Sequence, residues 1–198
     1  MSDADVSNRV LTVPNLVSLA RLLGIPVFWW LLLAEDDVAA AAWLVFAIGW
    51  TDWIDGYLAR RLDQVSRLGT ILDPVADRLL IASAVIGGLI AGVLPAWIGW
   101  GLIGREILVG LMALLLALRG EGTIEVRYLG KLATFLLYGA IPAFYLAESG
   151  VIEWLLRPAA WIVGVAGLAL YWWVAFLYIG DSRAKLAGLK SSPDREEA

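Results

Sequence analysis

Four aspartates, Asp52, Asp55, Asp73 and Asp77, interrupt an otherwise apolar stretch of chain and are the residues best suited to do chemistry. Spacings of three and four residues put each pair on one face of a helix. The joint between the two helices is short, so they are antiparallel neighbours whose carboxylate pairs can face each other. Four carboxylates held close in a poorly polarisable setting repel one another and take up protons unless cations offset them. Two divalent ions balance the charge. The chain has no Cys and no His, which excludes a disulfide, a thiolate nucleophile, a Ser-His-Asp triad and a typical zinc site. Oxygen ligands alone point to Mg²⁺ or Mn²⁺, with Ca²⁺ a poorer fit. Proton transfer near neutral pH then falls to a carboxylate. Singly, Asp52 or Asp73 would serve as a helix cap and Asp77 as an ion-pair partner of Arg78 or Arg105. Together, ionisable residues at membrane depth are functional by default.

The elements that must position them follow from composition. Apolar residues make up 61% of the 198 and charged residues 17%, with a mean hydropathy of +0.78; a soluble domain averages about 45 to 50% and about 25%. Apolar runs long enough to cross a hydrocarbon core of about 30 Å recur along the chain. They predict an all-α integral membrane protein with six transmembrane helices, at Asn15 to Ala34, Val38 to Arg61, Leu68 to Val93, Ala96 to Leu118, Val126 to Ala147 and Ile152 to Ile179. Residues 1–198 read as one membrane domain, opening with a short polar segment (1–14) and closing with a charged tail (181–198). The segment Met1 to Val13 lacks a basic lead into a cleavable signal, so the first apolar run is expected to be retained.

Lys and Arg set the orientation. Arg60, Arg61 and Arg67 follow the second run, Arg119, Arg127 and Lys131 follow the fourth, and Arg183, Lys185, Lys190 and Arg195 lie in the tail, whereas the joints on the other side supply only Arg157. Both termini and the aspartates are therefore expected at the cytoplasmic face of a bacterial-type plasma membrane. The eleven Trp residues stand mostly near predicted helix ends, as in an interfacial aromatic belt. The formal charge of −4 says little, because the acidic residues include the candidate site and the basic ones are concentrated in particular loops; no nucleic-acid partner is suggested.

The segment from Asp52 to Asp77 reads D-x2-D-G-x2-A-R-x8-G-x3-D-x3-D, and Asp52, Asp55, Gly56, Ala59, Arg60, Gly69, Asp73 and Asp77 fill every specified position. This pattern resembles the signature of the CDP-alcohol phosphotransferase family, and the helix count and chain length extend the resemblance over nearly the whole sequence. It implies a homodimer in which a CDP-linked lipid, usually CDP-diacylglycerol, donates a phosphatidyl group to an alcohol with release of CMP. It further implies that Asp52, Asp55 and Asp73 hold two metal ions, that Asp77 is the general base and also touches a metal, and that Gly56, Ala59, Arg60 and Gly69 surround the CDP moiety. Two ions polarising a diphosphate beside a carboxylate base suit displacement at phosphorus.

Acceptor-binding candidates are Arg105, Lys131 and Arg127, with Arg21 and Arg119 behind them. Arg105 lies inside a predicted span and Lys131 near the start of one, where cations need a reason; Arg119 and Arg127 also fit the positive-inside bias. The Arg105-Glu106 and Gly130-Lys131 pairs resemble members that use glycerol-type acceptors, including phosphatidylglycerophosphate synthases, which often place a further cation eight positions after the arginine. Here that position is Ala113. The segment from Tyr128 to Phe135 resembles the actinobacterial-type cardiolipin synthases. Phosphatidylglycerol and glycerol 3-phosphate both stand as acceptors, ahead of a myo-inositol phosphate. A membrane prenyltransferase and a cation transporter are the rivals; the first favours Asp motifs far apart in sequence, the second carboxylates on broken helices near the midplane.

Overall fold

The computed structural model describes residues 13–49, 67–119 and 128–190, with the backbone alone for 13–16, 67–74 and 184–190. The described regular elements are helices: α1 (Val13–Leu33), α2 (Val38–Gly49), α3 (Arg67–Ile90), α4 (Ala96–Leu118), α5 (Tyr128–Glu148) and α6 (Glu153–Lys190). Three of them contain stretches long and apolar enough to cross a membrane, Ala96–Leu118, Tyr128–Glu148 and Glu153–Arg183. In α3, the charges of Arg67, Asp73, Asp77 and Arg78 dilute the apolar content.

The α4 bounds coincide with those predicted from hydropathy, whereas α6 runs past its expected end at Ile179 to Lys190. Hydropathy marks where the apolar run stops, but the Ala, Leu, Lys and Arg residues beyond Asp181 are strong helix formers, so the backbone continues. Short turns join α1 to α2, α3 to α4 and α5 to α6. Asp36 adopts φ 53°, and Asp37 caps α2 by accepting the Ala40 amide on Oδ1 at 2.8 Å. Gly150, at φ 81°, closes α5 in a Schellman arrangement: its amide returns to the Ala147 carbonyl, and that of Val151 to the Leu146 carbonyl.

α5 lies along α6 in the most extended helix pairing, α1 packs on α3, and α4 bridges α6 and α3. Small residues let these backbones approach, as expected where lipid removes the hydrophobic drive for association. A Cβ at Gly167 would lie 3.1 Å from Leu137, and one at Gly87 2.8 Å from Leu32 and 2.9 Å from Phe28. Phe28, Leu80, Ile98, Tyr145 and Val174 are the large side chains buried at the centre. The Tyr145 hydroxyl donates to the Ala84 carbonyl at 2.6 Å, tying α5 to α3. The outer surface is apolar, with Leu118 76%, Phe135 72% and Ile162 71% exposed; faces of this kind belong in lipid.

Candidate functional site

α3 carries the second half of the aspartate motif. Gly69, Asp73 and Asp77 occupy successive helical turns, since positions four apart share a face. The Asp77 carboxylate stands where three helices meet. Its Oδ2 accepts a hydrogen bond from the Tyr138 hydroxyl of α5, and its Oδ1 lies 3.9 Å from Nη1 of Arg21 on α1. Arg21 is only 2% exposed, whereas the Asp77 side chain keeps 30% of its surface open. Burying a guanidinium costs several kcal/mol unless an opposite charge compensates it, and Asp77 supplies that charge. Both carboxylate oxygens thus have a partner, while part of the side chain stays accessible. Among the described residues Asp77 pairs with Arg21, and not with Arg78 or Arg105.

The donor chemistry fits a hard divalent cation: Asp77 offers partly accessible carboxylate oxygen, Asp73 stands one turn before it, and the chain has no imidazole or thiolate to compete. Among the described residues no group of three or more acidic side chains converges. Asp52, Asp55, Gly56, Ala59, Arg60 and Arg127 lie outside the described residues, and Asp73 and Gly69 are placed by backbone alone.

A second polar cluster joins α4 to α6. Arg105, 8% exposed, donates from Nη1 to Glu106 Oε1 at 2.8 Å, and its Cζ lies 3.7 Å from the centroid of the Tyr171 ring. The Tyr171 hydroxyl donates a hydrogen bond to the same Glu106 oxygen. Next to it, Trp172 Nε1 donates to the Gly101 carbonyl at 3.1 Å. Lys131 is exposed in the first turn of α5 and makes no ion pair among the described residues. Arg119 is an exposed cap residue of α4 whose amide returns to the Leu116 carbonyl.

Sequence reasoning missed Tyr138 and Tyr171. Their partners are 61 and 65 residues away, so no local spacing announces them. The available signal was a phenolic hydroxyl inside an apolar span, which needs a partner once buried.

A family model described as CDP-alcohol phosphatidyltransferase matches residues 11–177. A cardiolipin synthase (CMP-forming) of Streptomyces coelicolor is 41% identical over 183 residues, covering 89% of this chain and 85% of the relative. A putative cardiolipin synthase of Mycobacterium tuberculosis is 38% identical, covering 86% and 82%. The CDP-diacylglycerol–glycerol-3-phosphate 3-phosphatidyltransferase of Escherichia coli is 33% identical, covering 88% and 96%.

Proposed function

The chain belongs to the CDP-alcohol phosphatidyltransferase family, and from that premise we propose that it transfers the phosphatidyl group of CDP-diacylglycerol to the hydroxyl of phosphatidylglycerol, giving cardiolipin and CMP. It is a transferase of phospholipid biosynthesis, and its family uses divalent metal ions. One observation carries the site assignment: three helices converge on the Asp77 carboxylate, within the helix that also bears Asp73 and Gly69 of the motif.

In this reading Asp52, Asp55, Asp73 and Asp77 hold two Mg²⁺ or Mn²⁺ ions. When bound, such ions offset charge on the donor diphosphate and on the departing CMP. Asp77 takes the proton of the acceptor hydroxyl as that oxygen bonds to the phosphorus bearing the diacylglycerol, while the phosphorus–oxygen bond to CMP breaks. Tyr138 and Arg21 hold the carboxylate in one orientation during the transfer, which favours reaction by removing rotational freedom. Gly56, Ala59, Arg60 and Gly69 line the CDP side, and Arg105, Lys131 and Arg127 the acceptor side.

A membrane site suits a donor whose two acyl chains stay in lipid while its head group meets water. The apolar runs of the sequence support six spans, and the Lys and Arg bias supports both termini in the cytoplasm and an active site at the inner face of the plasma membrane. Family resemblance supports a homodimer built from one domain per chain.

Phosphatidylglycerol leads as acceptor because the Streptomyces cardiolipin synthase shares more identity than the Escherichia glycerol-3-phosphate enzyme. The latter, matched along nearly its whole length, keeps glycerol 3-phosphate as the second reading. Purified protein incubated with CDP-diacylglycerol and Mg²⁺ or Mn²⁺, offered each alcohol separately, is expected to release CMP and form cardiolipin, identified by mass. Phosphatidylglycerophosphate as the sole product would establish the second reading, and absence of CMP with every alcohol, inositol phosphate included, would remove both.

A further inference from the structure

The corner where α5 turns into α6 bears a groove of about 510 Å³ lined by Glu153, Trp154, Arg157, Pro158 and Trp161, within the roughly 300 to 1,000 Å³ of small-molecule sites. Glu148, which ends α5 beside it, follows Tyr138 by ten residues, about 15 Å along the helix, so the groove stands apart from the Asp77 site. Trp161 is held by the Trp97 ring of α4, with centroids 6.0 Å apart, and by Phe144 edge-on at 5.6 Å. Trp154 is 79% exposed.

Charge and hydrogen-bonding capacity define what such a groove takes. Arg157 donates from Nε to Glu153 Oε1 at 2.9 Å and from Nη2 to Glu148 Oε2 at 3.2 Å. Its Nη1, the second oxygen of Glu148 and the second oxygen of Glu153 have no partner among the described residues. The trio carries one net negative charge. The other charged side chains at this end of the bundle, Glu35, Asp36 and Asp37 of the α1–α2 turn, are negative too, and the α3–α4 turn has none. Pro158 has no amide to return to the Trp154 carbonyl one turn before it, which adds a main-chain acceptor. A negative field, spare oxygen acceptors and two indole faces fit an ammonium group. The remaining guanidinium amine, set between two carboxylates, fits one phosphate oxygen.

Below the groove α6 presents exposed Leu155, Ile162 and Val165, a face for acyl chains, so a ligand with head group and chains can engage both. We propose that this groove binds a phospholipid whose zwitterionic head group ends in a primary ammonium, with the ammonium at Glu148, Glu153 and the Trp154 carbonyl and the phosphate at Arg157. The site goes beyond the transferase reading and is independent of it. On the orientation proposed above, the lipid belongs to the outer leaflet. A primary ammonium donates three hydrogen bonds where a quaternary one donates none, so the acceptors select ethanolamine over choline head groups, and the net negative charge disfavours anionic lipids.

Native mass spectrometry of the purified protein in micelles holding equal amounts of phosphatidylethanolamine and phosphatidylcholine tests this without reference to turnover. The wild type is expected to retain phosphatidylethanolamine about threefold or more over phosphatidylcholine, the size of interactions among half-exposed charges. Glu148→Gln combined with Glu153→Gln keeps the side-chain shapes, removes both negative charges and should bring the ratio near one. Trp154→Ala, at a position too exposed to disturb folding, should lower the ratio about twofold through loss of one indole face. Equal retention of both lipids by the wild type, the result of an interfacial aromatic belt alone, overturns the proposal, as does an unchanged ratio in the folded double variant. If the double variant does not accumulate folded, an unchanged ratio in Trp154→Ala overturns it instead. Displacement of the retained lipid by soluble phosphoethanolamine at the same concentration would assign the groove to a water-borne zwitterion and overturn the lipid assignment.

Discussion

Tyr138 on α5 donates its hydroxyl hydrogen to Oδ2 of Asp77 on α3, so the carboxylate proposed as the base is oriented by a helix distant in sequence. Arg21 of α1 flanks the other oxygen. Two supports on one carboxylate restrict its rotation about the side-chain bonds, and a base held in register needs no reorientation as the proton moves.

Removing the Tyr138 support tests that relationship. Tyr138→Phe keeps the ring and loses the hydrogen bond, and is expected to lower kcat about tenfold, equivalent to about 1.4 kcal/mol, with the donor KM within twofold of wild type. Steady-state kinetics with saturating acceptor give the number. A lowered donor affinity with normal kcat would instead place Tyr138 in the donor pocket.

The aspartates should separate by role. Asp77→Asn is expected to lose transfer by a factor of about a thousand or more while retaining much of the donor binding, the pattern of a missing base. Asp73→Asn should abolish CMP release in a protein that remains folded in detergent, and a chelator should do the same to the wild type. CMP release followed by chromatography checks both, and near-normal turnover in either variant refutes its assignment.

Helix approach at Gly167 predicts a stability effect without chemistry. A side chain there meets Leu137 and Leu136 at 3.1 and 3.2 Å from its first carbon, so Gly167→Leu overpacks the α5–α6 seam and should cost about 1 to 3 kcal/mol. Gly139, with open space around its Cβ position, gives the contrast: Gly139→Ala should be neutral or slightly stabilising. Thermal unfolding in detergent micelles distinguishes the two.

Arg157 offers a control of opposite character. It bridges Glu153 at 2.9 Å and Glu148 at 3.2 Å, but all three are exposed and such pairs contribute under about 1 kcal/mol. Arg157→Ala is expected to leave turnover unchanged and the melting temperature within a few degrees.

The helices were legible where one physical signal dominates. Hydropathy alone placed α4 from Ala96 to Leu118, and the Glu35-Asp36-Asp37 joint follows from acidic residues that cap and turn the chain. The end of α6 was not, because the membrane boundary ends the apolar run while helix propensity carries the backbone onward. For the candidate site, sequence spacing put Asp73 and Asp77 on one helix face, and both fall in α3, one turn apart. What it could not give was the set of partners: Asp77 finds Tyr138 and Arg21, and Arg105 finds Tyr171, through helix packing that brings together residues unrelated in register. Asp52 and Asp55 lie outside the described residues.

The length of α6 has a practical corollary. Its 38 residues make a rod of about 57 Å at 1.5 Å per residue, longer than the roughly 40 to 45 Å of a bilayer with its head groups. The candidate apolar span within it ends at Arg183, so about two further helical turns extend past that span to Lys190. A reporter or affinity handle joined after Lys190 would therefore be set about two helical turns past the apolar span, which makes this end the natural choice for tethering the protein to a support.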